Sequence, residues 1–489
     1  MADRPDVVIV VIDCLRSDRI ADGGRACRTP NIDRLAARGT VLPNVFVENS
    51  ITTPSFASLL TGRYSGNHGL ISMVGSRLDE GIPTMAEIFA ANGYATCAET
   101  TGPLHPLTGI GRGFAEYRFR SQQDHAFTGW GDDLLRRVGT GQLARPFFLL
   151  VHLWEAHRPI QVPAEFNTPE YGEWPYDRAI SAIDAFLGRL FEALDPRALV
   201  VVTGDHGECL GERPPDDGLL AHFLRKLDLA LPDPQTPGSI DDATALMAEE
   251  PRLHRFAAEI AEATEEGVRC LPRRTRLRMT ADLLRIGFTR YRIQSRKGVL
   301  FNLSTTRQKV TDNLLLLAVL RGDRKTAQRH LVRNALNEHV LQHGYHIYDY
   351  LQRVPVVLAG DGSGPAGRRV ETELRHIDLL PTLVEMLNLR APAAGFDGAS
   401  YAAEIRNGGG PDRPVYLEAR GGARSDRLFL IRGFRRNRMK VAYAPFERSA
   451  PVEFYELGDD PAERLNRAGN AGCPVEALRK DAEKAAAAF

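Results

Sequence analysis

The sequence predicts an α/β fold, a mostly parallel sheet covered by helices on both faces, and three observations predict it. Val7 to Ile12 is an unbroken run of β-branched residues, Ala198 to Gly204 is a second apolar run, and segments with helix-capping signals alternate with such runs. Apolar runs this short and continuous are strands buried on both faces. A sheet with helices on either side is the architecture that buries them. In chain order, Val7 to Ile12 ends in Asp13-Cys14-Leu15-Arg16-Ser17-Asp18, Thr29-Pro30 starts a helix that stops at Gly39, and Val41 to Val47 follows as extended chain. Thr52-Thr53-Pro54-Ser55-Phe56 opens a short helix, with Pro54 suited to its first turn and Thr52 or Thr53 as its cap. Thr84 and Glu87 form a capping box, Ile88 and Phe89 give the helix its apolar face, and Asn92-Gly93 ends it before a strand from Tyr94 to Ala98. From about Ala391 the texture changes to short runs at Pro414 to Ala419, Leu428 to Arg432, Met439 to Ala442 and Val452 to Leu457. These predict a small antiparallel sheet closed by a helix from Val475.

The chemistry-bearing residues follow the strands. In open α/β sheets ligands gather outside the carboxyl ends of strands, so Asp13, Asp205 and His206 are expected to converge there with Thr52. Two carboxylates, an imidazole and a hydroxyl suit one divalent cation, which depresses the pKa of a hydroxyl and neutralises charge on a transferring group. A hydroxyl at a helix entry also lies beside unpaired N–H groups, where an anionic ester is held. Each motif alone has a plainer reading, since Thr-x-Pro caps helices, an Asp after a strand caps the next helix, and Asp-His-Gly makes turns.

In this order the segments resemble the sulfatase branch of the alkaline phosphatase superfamily. The resemblance extends to Phe148 to Pro159 with its His152 and His157, Tyr176-Asp177 to Ile183-Asp184, His343-Gly344 with Arg353-Val354-Pro355, Ile377-Asp378, and Phe454-Tyr455-Glu456-Leu457 with Asp460-Pro461 and Asn466. It implies an alkaline-phosphatase-like α/β fold, one divalent metal ion held by Asp13, Thr52, Asp205 and His206, and a small anionic ester as substrate. Thr52 is then the nucleophile, with Thr53 as the alternative, and His157 and His343 are the candidates to protonate the leaving group and to bind the non-bridging oxygens. His152 and Glu155 are expected to support the site, while Arg16 and Arg63 hold an oxyanion or pair with aspartates. Three positions depart from the pattern. Sulfatases with Cys-x-Pro-x-Arg oxidise the Cys to formylglycine, whereas Thr52 and Phe56 stand here, so no formylglycine forms. Cys14 replaces a second Asp, which favours manganese or zinc over calcium or magnesium. Tyr345 replaces a Lys that reads sulfate oxygens. These departures favour cleavage or transfer of a phosphate or phosphonate ester through a covalent Thr52 intermediate. A sulfate ester hydrolase without formylglycine is the second reading, and a weakened scaffold that binds an anionic partner is the third.

The 489 residues divide into a catalytic α/β domain, 1–212 with 343–390, a helical insertion, 213–342, and a C-terminal subdomain, 391–489. Formal net charge is zero, which gives no bulk attraction to nucleic acid. No apolar stretch is long enough to span a bilayer. The first strand begins by Val7, leaving no room for a signal peptide, and the six cysteines lack Cys-x-x-Cys spacing, so a cytoplasmic location with reduced thiols is expected. The insertion is acidic from Asp216 to Glu266, and from Arg269 to Arg333 it carries seventeen Lys or Arg against three Asp or Glu. It reads as the solvated faces of a helical cap, as a lid attracting an anionic substrate or partner, or as a membrane-surface contact by 269–333. Its ends abut active-site motifs, which favours the lid over the membrane.

Overall fold

The six side chains of strand β1 (Val7–Ile12) are all fully buried, as a central strand requires. In this computed structural model, which describes residues 4–20, 26–73, 76–158, 160–210, 212, 215–226, 343–420 and 430–488, β1 lies inside a nine-stranded sheet. The other strands are β2 (Thr40–Phe46), β3 (Ala95–Thr100), β4 (Glu116–Phe119), β5 (Phe147–Leu153), β6 (Leu199–Gly204), β7 (Arg353–Ala359), β8 (Arg368–Arg369) and β9 (Leu374–Arg375). Their order is β4-β3-β5-β1-β6-β7-β2-β8, with β9 also paired to β2. Only β7 runs against its neighbours, pairing antiparallel with both β6 and β2.

Alternation along β1 divides the interior in two. Val7, Ile9 and Val11 pack with Phe56, Leu59 and Leu380 on one face, and Val8, Val10 and Ile12 pack with Ile180, Ile183 and Leu187 on the other. Each such fully buried side chain contributes roughly 1.5–3 kcal/mol. The first face is covered by helices Thr52–Thr61 and Leu379–Met386, the second by the long helix Pro175–Ala193. The predicted capping box forms, with Glu87 N donating to Thr84 Oγ1 at 3.2 Å and Thr84 N to Glu87 Oε2 at 2.9 Å.

One local expectation is corrected. Neither Thr52 nor Thr53 caps the helix Thr52–Thr61; its cap is Ile51, in extended backbone with no side-chain cap bond. Thr52 already belongs to the first turn, and its hydroxyl turns away from the helix toward Asp13 and His206.

The C-terminal sheet is antiparallel in the order β10 (Val415–Ala419), β11 (Ile431–Arg436), β12 (Met439–Tyr443) and β13 (Glu453–Glu456). β11 extends past the predicted Arg432 because Asn437 and Arg438 both take left-handed φ, 52° and 57°, making a tight hairpin that pairs Arg436 with Met439. Leu478 and Ala482 of the helix Val475–Ala487 pack on this sheet. Buried Lys440 reaches Asp349 Oδ1 at 2.9 Å and Glu463 Oε1 at 2.7 Å, and Arg435 reaches Glu373 Oε1 at 2.5 Å. The chain from His343 to Asp349 is thereby tied to β11 and β12.

Of the insertion, helix Leu219–Lys226 is described, and its first N–H donates to Glu453 Oε1 at 2.6 Å. The stretch from residue 227 to 342, with the lid, partner and membrane-surface readings placed on it, lies outside the described residues. No helix among the described residues is long and apolar enough to cross a membrane.

Just beyond β2, where Asn49 bridges to Glu418 of β10, Glu48 lies buried, and Glu418 N donates to Glu48 O at 2.8 Å. Burial, reinforced by the charge of Glu418, pushes the Glu48 carboxyl up to about 8. Folded protein then holds a proton that unfolded chain has lost, so this group's stabilisation is present at acid pH and falls as pH rises toward 8. Glu48→Gln is expected to flatten that part of the slope. Urea midpoints across this range test it, and an unchanged slope in the variant would refute the assignment.

Candidate active site and metal centre

β1 and β6 are in parallel register with Ile12 opposite Gly204, so Asp13 and Asp205 leave the sheet at the same edge. Asp13 N continues the ladder to Leu153 O at 2.8 Å, and the chain then turns sharply through Cys14, whose φ is 63°. That turn aims Cys14 N at Asp205 Oδ1, 3.1 Å away. Gly207 lets the next loop approach, since a Cβ there would sit 1.9 Å from Tyr350 O.

Into this corner the helix Thr52–Thr61 delivers its first residue. Thr52 Oγ1 lies 3.4 Å from Asp13 Oδ2 and 3.3 Å from His206 Nε2. β5 contributes His152, in register with Val11, whose Nε2 is 3.1 Å from the same Asp13 oxygen. Phe56, one helical turn after Thr52, packs edge-on against the His152 ring at 4.9 Å. His206 Nδ1 donates to Gly207 O at 2.9 Å, which leaves the Nε2 lone pair facing Thr52. Asp205 Oδ1 accepts His206 N at 2.9 Å, whereas its Oδ2 is buried with no hydrogen-bond partner.

Ligand atoms of Asp13, Asp205 and His206 lie within 4.8 Å of one another. Two carboxylates, one with a buried oxygen that accepts no hydrogen bond, and an imidazole nitrogen fit a divalent cation. The electrostatics agree. Burial and the charge of Asp13 push Asp205 up to about 6, a cost that a cation reverses. Asp13 is raised by burial, but the His152 hydrogen bond and the charges of His157 and His206 hold it well below the usual range.

The two further predicted histidines lie on the open side of this cluster. His157 stacks on Trp154 at 3.8 Å, donates from Nδ1 to Arg158 O at 2.6 Å, and is lowered to about 4 by burial. His343 sits 5.3 Å from the His157 ring and 4.6 Å from that of His206. Its Nδ1 is 3.4 Å from Glu208 Oε2, and the charge of Glu208 raises the imidazole although burial opposes it. Glu208 itself, penalised by burial, is brought down to about 2 by His343.

A family model described as Sulfatase matches residues 5–389, a span that contains every residue of this cluster. The chain belongs to the sulfatase family. It is 24% identical to human iduronate 2-sulfatase over 309 residues, 43% of this chain and 56% of that protein. With bovine arylsulfatase A it shares 38% over 103 residues, 19% and 20% of the two chains. The matches thus span little more than half of one curated relative and a fifth of the other. Among solved structures it resembles the phosphonate monoester hydrolase of Agrobacterium radiobacter, with TM-score 0.61 at 17% identity, covering 99% of this chain and 95% of that one. A 2-O GAG sulfatase aligns with TM-score 0.55 at 17% identity, over 99% and 90%. These likenesses establish the alkaline-phosphatase-like fold.

In this sulfatase-family chain all six predicted residues, Asp13, Thr52, His157, Asp205, His206 and His343, meet in one place. Thr53 does not join them, because its hydroxyl donates to Pro103 O at 3.3 Å. Arg16 is drawn off by Asp18 at 2.8 Å and Glu212 at 2.5 Å, and Arg63 lies against Asp397 at 3.5 Å, so neither presents a free guanidinium to the corner. Glu155 accepts Ala126 N at 2.6 Å and supports the fold behind it. Glu208 also reaches this corner. Glu208 stands three residues after Asp205, and the second carboxylate of an Asp-His-Gly-Glu run was the signal for it. Cys14, expected only as the loss of an oxygen ligand, lies here too, its Sγ 3.0 Å from Asp13 Oδ1.

Proposed function

We propose that this chain is a metal-dependent hydrolase or transferase that cleaves a phosphate or phosphonate ester through a covalent intermediate on Thr52. The observation that carries the reading is the Thr52 hydroxyl, buried at a helix entry and pointed between Asp13 Oδ2 and His206 Nε2 at 3.4 and 3.3 Å. A divalent cation held by Asp13, Asp205 and His206 supplies charge neutralisation and lowers the pKa of a neighbouring hydroxyl. Manganese or zinc is the proposed ion.

Thr52 releases its hydroxyl proton to solvent and attacks as the alkoxide, the Thr52 Oγ1–phosphorus bond forms, and the bond to the leaving oxygen breaks. His343, kept protonated further up the pH scale by Glu208, donates the proton that the leaving oxygen takes. His157 is lowered to about 4 and its one N–H is given to Arg158 O, so it binds a non-bridging oxygen once its Nε2 takes up a proton. Water or an acceptor hydroxyl then displaces Thr52 and restores its hydroxyl. The substrate is a small anionic ester. The proposed compartment is the cytoplasm, which suits the free thiols of Cys14, Cys27, Cys97, Cys209 and Cys473.

Phosphorus is favoured over sulfur because Thr52 gives no formylglycine and because Phe56 and Tyr345 replace the charged residues that sulfatases use to read sulfate. Turnover of aryl phosphate, phosphate diester, phosphonate and sulfate esters by metal-reconstituted protein tests this. A phosphorus ester is expected to turn over fastest. If sulfate leads, the preference is wrong and the sulfatase reading replaces it; if none turns over, the scaffold reading does.

A further inference from the structure

Cys14 has the surroundings of a ligand. A structural buried cysteine behaves as a small hydrophobe among apolar neighbours, but Cys14 Sγ lies 3.0 Å from Asp13 Oδ1 and 3.7 Å from Glu208 Oε2. A third carboxylate, Asp205, takes its backbone N–H at 3.1 Å. One thiol thus sits, fully buried, among three buried carboxylates, and it has a single proton to offer them. Its backbone has a φ of 63°, a conformation that L residues other than Gly, Asn and Asp rarely adopt. Cys14, His206 and His343 offer ligand atoms that all lie within 4.8 Å, as do Asp13, Asp205 and His206. The two groups share His206, whose Nδ1 is committed to Gly207 O, so both draw on the same Nε2. The buried Oδ2 of Asp205 accepts no hydrogen bond and lies 3.4 Å from His206 Nε2, an independent sign that these two atoms suit a shared cation.

We propose that Cys14 Sγ is a ligand of the cation held by Asp13, Asp205 and His206, and that the centre therefore selects a thiolate-binding ion of the zinc class over calcium and magnesium. The inference rests on the metal dependence proposed above. Calcium and magnesium take oxygen ligands, whereas zinc accepts sulfur, nitrogen and oxygen together. As the sulfur–metal bond forms, the thiol proton leaves to solvent, so binding strengthens with pH.

Cobalt(II) loaded into the full-length protein is the test, read by its absorption spectrum. Wild type is expected to show a near-ultraviolet thiolate-to-cobalt charge-transfer band together with visible ligand-field bands. Cys14→Ser is expected to lose the first and keep the second, and Cys209→Ser, altering the neighbouring thiol, is expected to keep both. Zinc affinity of Cys14→Ser should fall by more than the roughly 10–100-fold that loss of an outer partner costs, while calcium affinity holds or rises. Zinc K-edge absorption on wild type needs no variant and should show one sulfur at about 2.3 Å. Cobalt bound without the charge-transfer band, or a zinc shell without sulfur, overturns the assignment of Cys14 and leaves the metal-dependent reading standing. Failure of wild type to bind either ion overturns both.

Discussion

Thr52→Ala is expected to lower turnover of the best aryl ester by on the order of 10³–10⁶-fold, the range over which loss of a covalent nucleophile is felt. The side chain is small and lies in the first turn of a helix whose cap is Ile51, so its truncation removes a hydroxyl without removing a capping bond. The proposed cation ligands Asp13, Asp205 and His206 stay in place, and bound metal should be unchanged. Thr52→Ser keeps a hydroxyl at the same atom and should recover much of the activity, which a merely structural role for Thr52 would not require. Mass spectrometry of acid-quenched wild type during turnover should find the phosphoryl or phosphonyl group on the peptide that contains Thr52. If Thr52→Ala retains wild-type turnover, the nucleophile assignment is wrong for every ester class.

Asp205→Asn is the second large effect. Asp205 is fully buried, one of its oxygens already serves Cys14 N and His206 N, and the other has no hydrogen-bond partner. Removing its charge should abolish stoichiometric metal and carry activity down with it, beyond the roughly 10–100-fold that an outer-shell loss costs. The pH dependence separates this from a packing defect. In metal-free protein the Asp205 carboxyl is pushed up to about 6, so the folded state holds a proton that the unfolded chain has released. Metal-free stability therefore falls as pH rises through that window, and the stabilisation gained on adding metal grows across it. Asp205→Asn should flatten both trends. Thermal unfolding with and without chelator at about pH 5 and about pH 8 measures them; a variant that still gains stability from metal would show that Asp205 is not a ligand.

Much of this centre was legible in the sequence because its residues follow strands. Val7 to Ile12 and Leu199 to Gly204 announce themselves by composition, and whatever follows a buried parallel strand emerges at the ligand-binding edge. That rule points to Asp13, Asp205 and His206 and to their convergence with Thr52, and the family resemblance chooses Thr52 over Thr53. The cap at Ile51 was not legible, since an apolar residue in extended backbone carries no capping signal. Nor was the Glu208–His343 pair, which closes over a long stretch of chain and depends on how β7 returns against β6. The reversal of β7 had no signal either, because buried strands have similar composition whichever way they run. Cys14 was seen, but its meaning lies in three carboxylates brought to it from elsewhere in the fold.

The ties from Arg435 and Lys440 also bear on where the family-matched region ends. The family match stops at residue 389, yet the positive charges that neutralise Asp349 and Glu373 come from β11 and β12 beyond it. Breaking a buried ion pair from one side typically costs about 3–5 kcal/mol, and removing the small sheet would break these together. The segment carrying His343 is anchored by that same network, so the region defined by sequence similarity is smaller than the set of residues that holds its geometry. Residues far from any substrate act as the counterions of the domain they flank.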